Sequence, residues 1–197
     1  MSRYELTKEF ILGKIERELS PTLTYHSINH VNDVLTAATY LAKAENISEA
    51  ETELLQVAVL FHDSGFIVSS EKHEEQGCEY AKKFLPDFGY NEQEITEICK
   101  IIMATKFPHK PESHLQQIIC DADLDYLGRE DFYIIGGLLF QELKSKNAVA
   151  DFNEWNKMQI RFLEAHTYFT KSAKALRRES KLRHIEEIKG KILDFES

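Results

Sequence analysis

Three short stretches of this chain concentrate side chains able to bind cations or move protons. They are Tyr25-His26-Ser27-Ile28-Asn29-His30, Leu60-Phe61-His62-Asp63-Ser64-Gly65 and Cys120-Asp121-Ala122-Asp123-Leu124-Asp125. His26 and His30 are four residues apart and share a face if that stretch is helical. His62 and Asp63 are adjacent at the end of an apolar run, where a change of backbone geometry lets consecutive side chains converge on one centre. Imidazole and carboxylate together suit Zn, Mn or Fe(II), and a carboxylate can bridge two cations. The competing reading of each His is a core residue with a satisfied hydrogen bond. For the three aspartates it is an acidic helix start that favours the helix dipole. At His62 the neighbour weighs against it, because an ionised Asp63 buried without a partner would cost several kcal/mol. Only folding can bring His30 and Asp121 to the same centre; their spacing alone does not.

The elements that must position these groups read as helices. Ile95, Ile98, Ile101 and Ile102 form one stripe of a helix from about 91 to 104, capped by Asn91 with Glu94 three residues on. Leu54, Leu55, Ala58 and Phe61 mark a second, with Ser48 as its cap and Gly65 closing it. Val31, Val34, Leu35, Ala38 and Leu41 mark a third, from about Ser27 to Ala44. A helix over 73–85 stops at Pro86, and Phe132 to Leu143 is apolar enough to be a central helix. A long polar helix is expected over 168–195, with Leu182, Ile185, Ile188 and Ile192 as its stripe. No run alternates with period two for long enough to make a strand. One all-α domain is the economical reading.

Composition bounds what such a bundle can do. In 197 residues, 43% hydrophobic and 29% charged, a core is attainable and disorder is not expected. A net charge of −9 argues against a nucleic-acid polymer as partner. The acid excess is either a solvated surface or carboxylates collected around cations. Gly 8 and Pro 4 are too few for a sandwich or barrel. The cysteines, Cys78, Cys99 and Cys120, are odd in number with no paired spacing, which suits reduced buried thiols. The first ten residues, with Arg3, Glu5, Lys8 and Glu9, do not read as a signal peptide. No apolar run approaches the ~20 residues of a membrane span. A soluble, cytoplasmic protein is expected, with no membrane partner. Residues 167–197 carry 8 basic and 5 acidic side chains, against a strongly acidic remainder. Trp155, Phe162, Tyr168 and Phe169 read as core or as part of a homodimer contact.

Taken together, His30, His62 with Asp63, and Asp121 resemble the HD-domain superfamily of metal-dependent phosphohydrolases, whose pattern is one His, an adjacent His-Asp and a distant Asp on helices. The resemblance covers about residues 24–130, leaving 131–197 as a C-terminal helical extension of one HD-type helical bundle. The segment from Tyr25 to Val34 is similar to the His-Asn-x-x-His-x-x-x-Val segment of cyclic-nucleotide phosphodiesterases, with Ser27 in place of Asn. Ala104-Thr105-Lys106 with Asp121 to Gly128 is similar to small bacterial HD phosphohydrolases. The resemblance implies His30, His62, Asp63 and Asp121 as ligands of a divalent metal (Mn, Zn, Fe or Co). It implies metal-activated attack of water on phosphorus, with His26 protonating the leaving oxygen. His73-Glu74-Glu75 resembles the third His of members with two metals, so Asp63 and His73 are candidates for a second ion, Mg among the options. The expected fourth His is missing after Ile101-Ile102-Met103; His109 could stand in from a loop. Lys106 is a candidate contact to a substrate phosphate.

The implied function is hydrolysis of a small phosphate ester or nucleotide, a cyclic-nucleotide phosphodiester among the candidates. The alternatives are a di-iron HD-type oxygenase and a non-catalytic metal-containing ligand-binding module.

Overall fold

Helix-capping side chains set most of the boundaries in the structure, a computed structural model that describes the backbone of residues 1–196 and the side chains of 1–191. Ser2 with Glu5 caps α1 (Arg3–Glu18), Ser48 with Glu51 caps α3 (Glu49–Phe61), and Asn91 with Glu94 caps α5 (Glu92–Met103), each as a reciprocal capping box. Ser113 and Asp151 cap α6 (His114–Asp123) and α8 (Phe152–Ala165). Between them lie α2 (Ile28–Ala44), α4 (His73–Phe84) and α7 (Phe132–Ser145), and α9 (Lys171–Glu196) closes the chain. The described residues contain no strand, so the all-α expectation stands. No helix among them is long and apolar enough to cross a membrane.

α3 runs through the middle. Leu55 and every residue from Val57 to Phe61 are fully buried among α1, α2 and α5, because its stripe widens to an apolar run at its end. α2 lies on α3 and α6, and α4 lies on α5. A second, smaller core joins Tyr25, Leu124, Leu127, Phe132, Leu163 and Ile185. The three cysteines are free thiols, as expected, two of them buried.

Two glycines let the start of α4 nest against the end of α3. A Cβ at Gly65 would lie 1.9 Å from the carbonyl oxygen of His73, and one at Gly77 would lie 2.5 Å from that of Phe61. Gly65 therefore does not close α3 as a C-cap; it sits one turn later, in a short 3-10 segment (Ser64–Ile67), where the backbones meet.

Three further expectations change. Phe132 to Leu143 is helical but not central: Ile134 is 72% exposed, because α7 packs by one face only. α9 begins at Lys171 rather than 168 because residues 166–170 form no helix and the amides of Phe169 and Thr170 are committed to Asp121. Of the α9 stripe, Ile185 and Ile188 are buried and Leu182 is exposed, while the side chain of Ile192 lies outside the described residues. Trp155 and Tyr168 are buried within the chain, and Phe162 and Phe169 pack against its cores.

Candidate metal centre and cavity

The polar centre forms where three helix ends meet. His30 stands on the first turn of α2, and His62 is the C-cap of α3 and still helical in backbone. Asp63 leaves the helix with φ −102° and ψ 1°, which swings its carboxylate back beside His62. Asp123 is the last residue of α6. The ring nitrogen His30 Nε2 lies 3.0 Å from Asp123 Oδ1, 3.3 Å from Asp63 Oδ2 and 3.4 Å from His62 Nε2. His62 Nε2 lies 3.2 Å from Asp63 Oδ2 and 3.6 Å from Asp123 Oδ1.

This donor set fits a cation. His62 Nδ1–H donates to the Val59 carbonyl at 2.7 Å, which fixes the tautomer and leaves the Nε2 lone pair facing the cluster. Asp63 Oδ2 is buried and, for all its near neighbours, satisfies a hydrogen bond with none of them. Without a cation the charges are balanced by protons. Burial opposes a charge on His30, but Asp123 and Asp63 outweigh it and raise this imidazole to about 9. Burial likewise opposes the carboxylates, and the two imidazoles outweigh it, holding Asp63 and Asp123 well below the usual range.

The structure does not bring Asp121 to this cluster. Asp121 is fully buried on the opposite side of α6, where its two oxygens accept 2.7 Å bonds from the amides of Phe169 and Thr170 and from the Thr170 hydroxyl. Residues two positions apart on a helix are about 200° apart around its axis, so only one of Asp121 and Asp123 can face α2 and α3, and it is Asp123. The aspartates also close α6 rather than open a helix, and Asp125 is paired with Arg177 at 2.7 and 2.9 Å.

His26 and His73 stand beside the cluster. Both stack on Phe66, with centroid separations of 4.2 and 4.1 Å. His26 Nδ1 donates to Glu142 Oε1 at 2.7 Å, and Glu142 Oε2 accepts from the amides of Tyr25 and His26. Glu142 is 1% exposed; burial pushes its carboxyl up, but His26 and Lys146 bring it down to about 2. Sequence reasoning missed this residue, whose signal was an acid within the most apolar helix. His73 Nδ1–H points to the Ser70 carbonyl, and its Nε2 faces Asp63 Oδ1 at 3.7 Å and Glu74 Oε1 at 3.4 Å. His109 Nε2 donates to the Thr105 carbonyl at 3.1 Å. Lys106 is half exposed on Glu75 at 2.5 Å and does not line the cavity.

That cavity, about 270 Å³, opens from Asp63 and Asp123 toward α7 and α8. His26, His73 and Glu74 line one side, and Leu139, Leu143, Trp155, Met158, Gln159 and Phe162 line the other.

Comparison with known proteins places the chain in a family. Residues 27–125 match the HD domain. The chain belongs to the HD-domain family. Two solved structures share the HD fold over nearly the whole chain. One is a predicted HD superfamily hydrolase from an uncultured Thermotogales bacterium (TM-score 0.63, 20% identity, 95% of this chain and 92% of that one). The other is Bacillus subtilis YpgQ in complex with ADP (TM-score 0.67, 18% identity, 96% and 97%). No curated protein matches.

Proposed function

We propose that this HD-domain protein is a metal-dependent phosphohydrolase acting on a small phosphate ester or nucleotide, a cyclic-nucleotide phosphodiester among the candidates. The observation that carries this reading is the convergence of His30, His62, Asp63 and Asp123 with an orphaned buried oxygen at its centre. These four residues would hold a divalent cation, and two imidazoles with two carboxylates suit Mn, Zn, Fe or Co. When bound, the cation supplies Lewis-acid polarisation of a phosphoryl oxygen and lowers the pKa of water.

The chain's own residues supply the rest. Hydrolysis joins the oxygen of water to phosphorus and breaks the bond from phosphorus to the leaving oxygen, which then needs a proton. In the imidazolium form His26 carries two N–H groups: Nδ1–H stays on Glu142, and Nε2–H is free for the leaving oxygen. Glu142 also accepts the Tyr25 and His26 amides, so it sets the ring's position as well as its orientation. The apolar wall of α7 and α8 lowers the polarity beside the reacting groups. ADP bound to YpgQ supports a phosphate-bearing ligand for a fold of this shape.

His73 and Glu74, facing the other oxygen of Asp63, are a candidate half-site for a second ion, which is the observation favouring the di-iron oxygenase as a second reading. Elemental analysis of protein purified without chelator gives the number of ions per chain. Turnover of cyclic mononucleotides, nucleoside monophosphates, dNTPs and generic esters is then assayed with Mn, Zn, Fe or Co. The expected result is metal-dependent phosphate release that is lost in His62→Ala and Asp63→Ala. No metal-dependent hydrolysis of any ester would overturn the first reading, and fewer than two irons per chain after anaerobic iron loading would remove the second.

A further inference from the structure

Trp155, Gln159 and Phe162 fall on one face of α8, four and three residues apart, and that face forms the far wall of the cavity. An apolar stripe is expected there, yet its middle residue is an amide. Gln159 is 6% exposed and no hydrogen bond ties its amide to a described residue, yet the amide is not sealed in: its atoms reach the cavity. The fold makes room for it: a Cβ at Gly136 of α7 would lie 2.9 Å from Gln159 Nε2. The amide therefore opens only to the cavity, where water completes it until a ligand with matching donor and acceptor groups displaces that water. The charges of the lining matter equally. Asp63, Glu74 and Asp123 contribute to it, and no Lys or Arg does.

We infer that Gln159 is a specificity-determining residue that reads the edge of a flat heteroaromatic ring carried by a substrate with a single phosphate, the chemistry of a nucleoside monophosphate. The inference rests on the phosphohydrolase reading for the phosphate end and stands apart from it at the ring end. An amide offers one acceptor and two N–H donors in a plane, which matches the alternating edge of a nucleobase. Trp155 and Phe162 give the ring apolar and aromatic faces. With Asp63 and Asp123 engaged by a dication, Glu74 is the carboxylate left in the lining, and no Lys or Arg stands there to hold phosphates beyond the one at the metal.

The test uses the full-length, metal-loaded chain with nucleoside monophosphates, nucleoside triphosphates and glycerol phosphate, together with thermal shift on free nucleosides. Monophosphates of nucleosides are expected to exceed both other classes in kcat/KM. Gln159→Leu is expected to raise their KM roughly tenfold, the size of one lost hydrogen bond, with kcat and glycerol phosphate turnover within about twofold. Free nucleosides should raise the melting temperature of the wild type and not that of the variant. Gln159→Glu, nearly the same shape without the amide donor, repeats the comparison if the leucine variant does not fold. A preference for triphosphates, an equal loss on every ester, or no stabilisation of the wild type by any nucleoside would each overturn the inference. Phosphate release without any Gln159 dependence leaves the phosphohydrolase standing and removes the ring reading. Gln159-dependent nucleoside stabilisation without hydrolysis of any ester does the reverse.

Discussion

The two walls of the cavity are built on different terms. On the wall made by α2, α3, α6 and the residues just before α2, most side chains are held by others, His62 by the Val59 carbonyl, His26 by Glu142 of α7 and Asp123 by two imidazoles, while Asp63 Oδ2 is left for a cation. On the wall made by α7 and α8 the neighbours are apolar, and the one amide is left for a ligand. The first arrangement suits reaction, which demands atoms held within fractions of an ångström. The second suits recognition, where shape and one hydrogen bond discriminate between substrates.

The sharpest way to break that contrast is to treat two neighbouring aspartates alike. Asp123→Asn should lower metal affinity and turnover by at least about a hundredfold, measured by elemental analysis and phosphate release. Asp121→Asn should leave the metal count intact and lower unfolding stability by about 1–3 kcal/mol in urea, since it weakens a buried hydrogen-bonded carboxylate. If the second variant empties the metal site as the first does, Asp121 belongs to the reacting wall after all.

A smaller effect is expected at Glu142. Glu142→Gln should reduce kcat on alkyl phosphates by about ten- to a hundredfold through the misplaced proton donor His26. On p-nitrophenyl phosphate, whose leaving group needs no proton, the loss should be slight. Equal losses on both would reduce Glu142 to a structural group.

The recognition wall can be probed by acid. His166, behind Phe162, is held down to about 3 by burial, then by the Lys181 ammonium and His109. The unfolded chain takes up this proton near 6.5, so the stability is fully present above pH 6.5 and is lost progressively as pH falls from 6.5 toward 3. Urea unfolding at pH 7 and 4.5 should differ by about 2 kcal/mol more in the wild type than in His166→Phe. An unchanged difference would show that the histidine is protonated in the folded protein. The smallest effect belongs to Lys106: Lys106→Gln should stay within about twofold of wild-type turnover, because its exposed pair with Glu75 lies outside the cavity.

The sequence made the reacting wall legible and left the recognising wall almost blank. His62-Asp63 at the end of an apolar helix identified the centre because adjacent polar residues there have few ways to be satisfied. Helical periodicity and the caps at Ser48 and Asn91 placed the elements that carry it. Which of Asp121 and Asp123 lies at the cluster was not legible, because choosing between residues two apart requires the phase of α6 and the amides of residues 169 and 170, which are 48 and 49 positions away from Asp121. Glu142 and Gln159 come from helices beyond the motif, and nothing in their local spacing tells where they point. Trp155 and Phe162 read as core because a cavity lining and a core have the same composition.

Phe66 stacks on two imidazoles from different elements, tilted 28° to His26 and 25° to His73. It works as a spacer. The ring centroids of His26 and His73 end 6.4 Å apart, a separation set by a side chain that carries no exchangeable proton. A leucine at this position would keep the oiliness and lose the gauge.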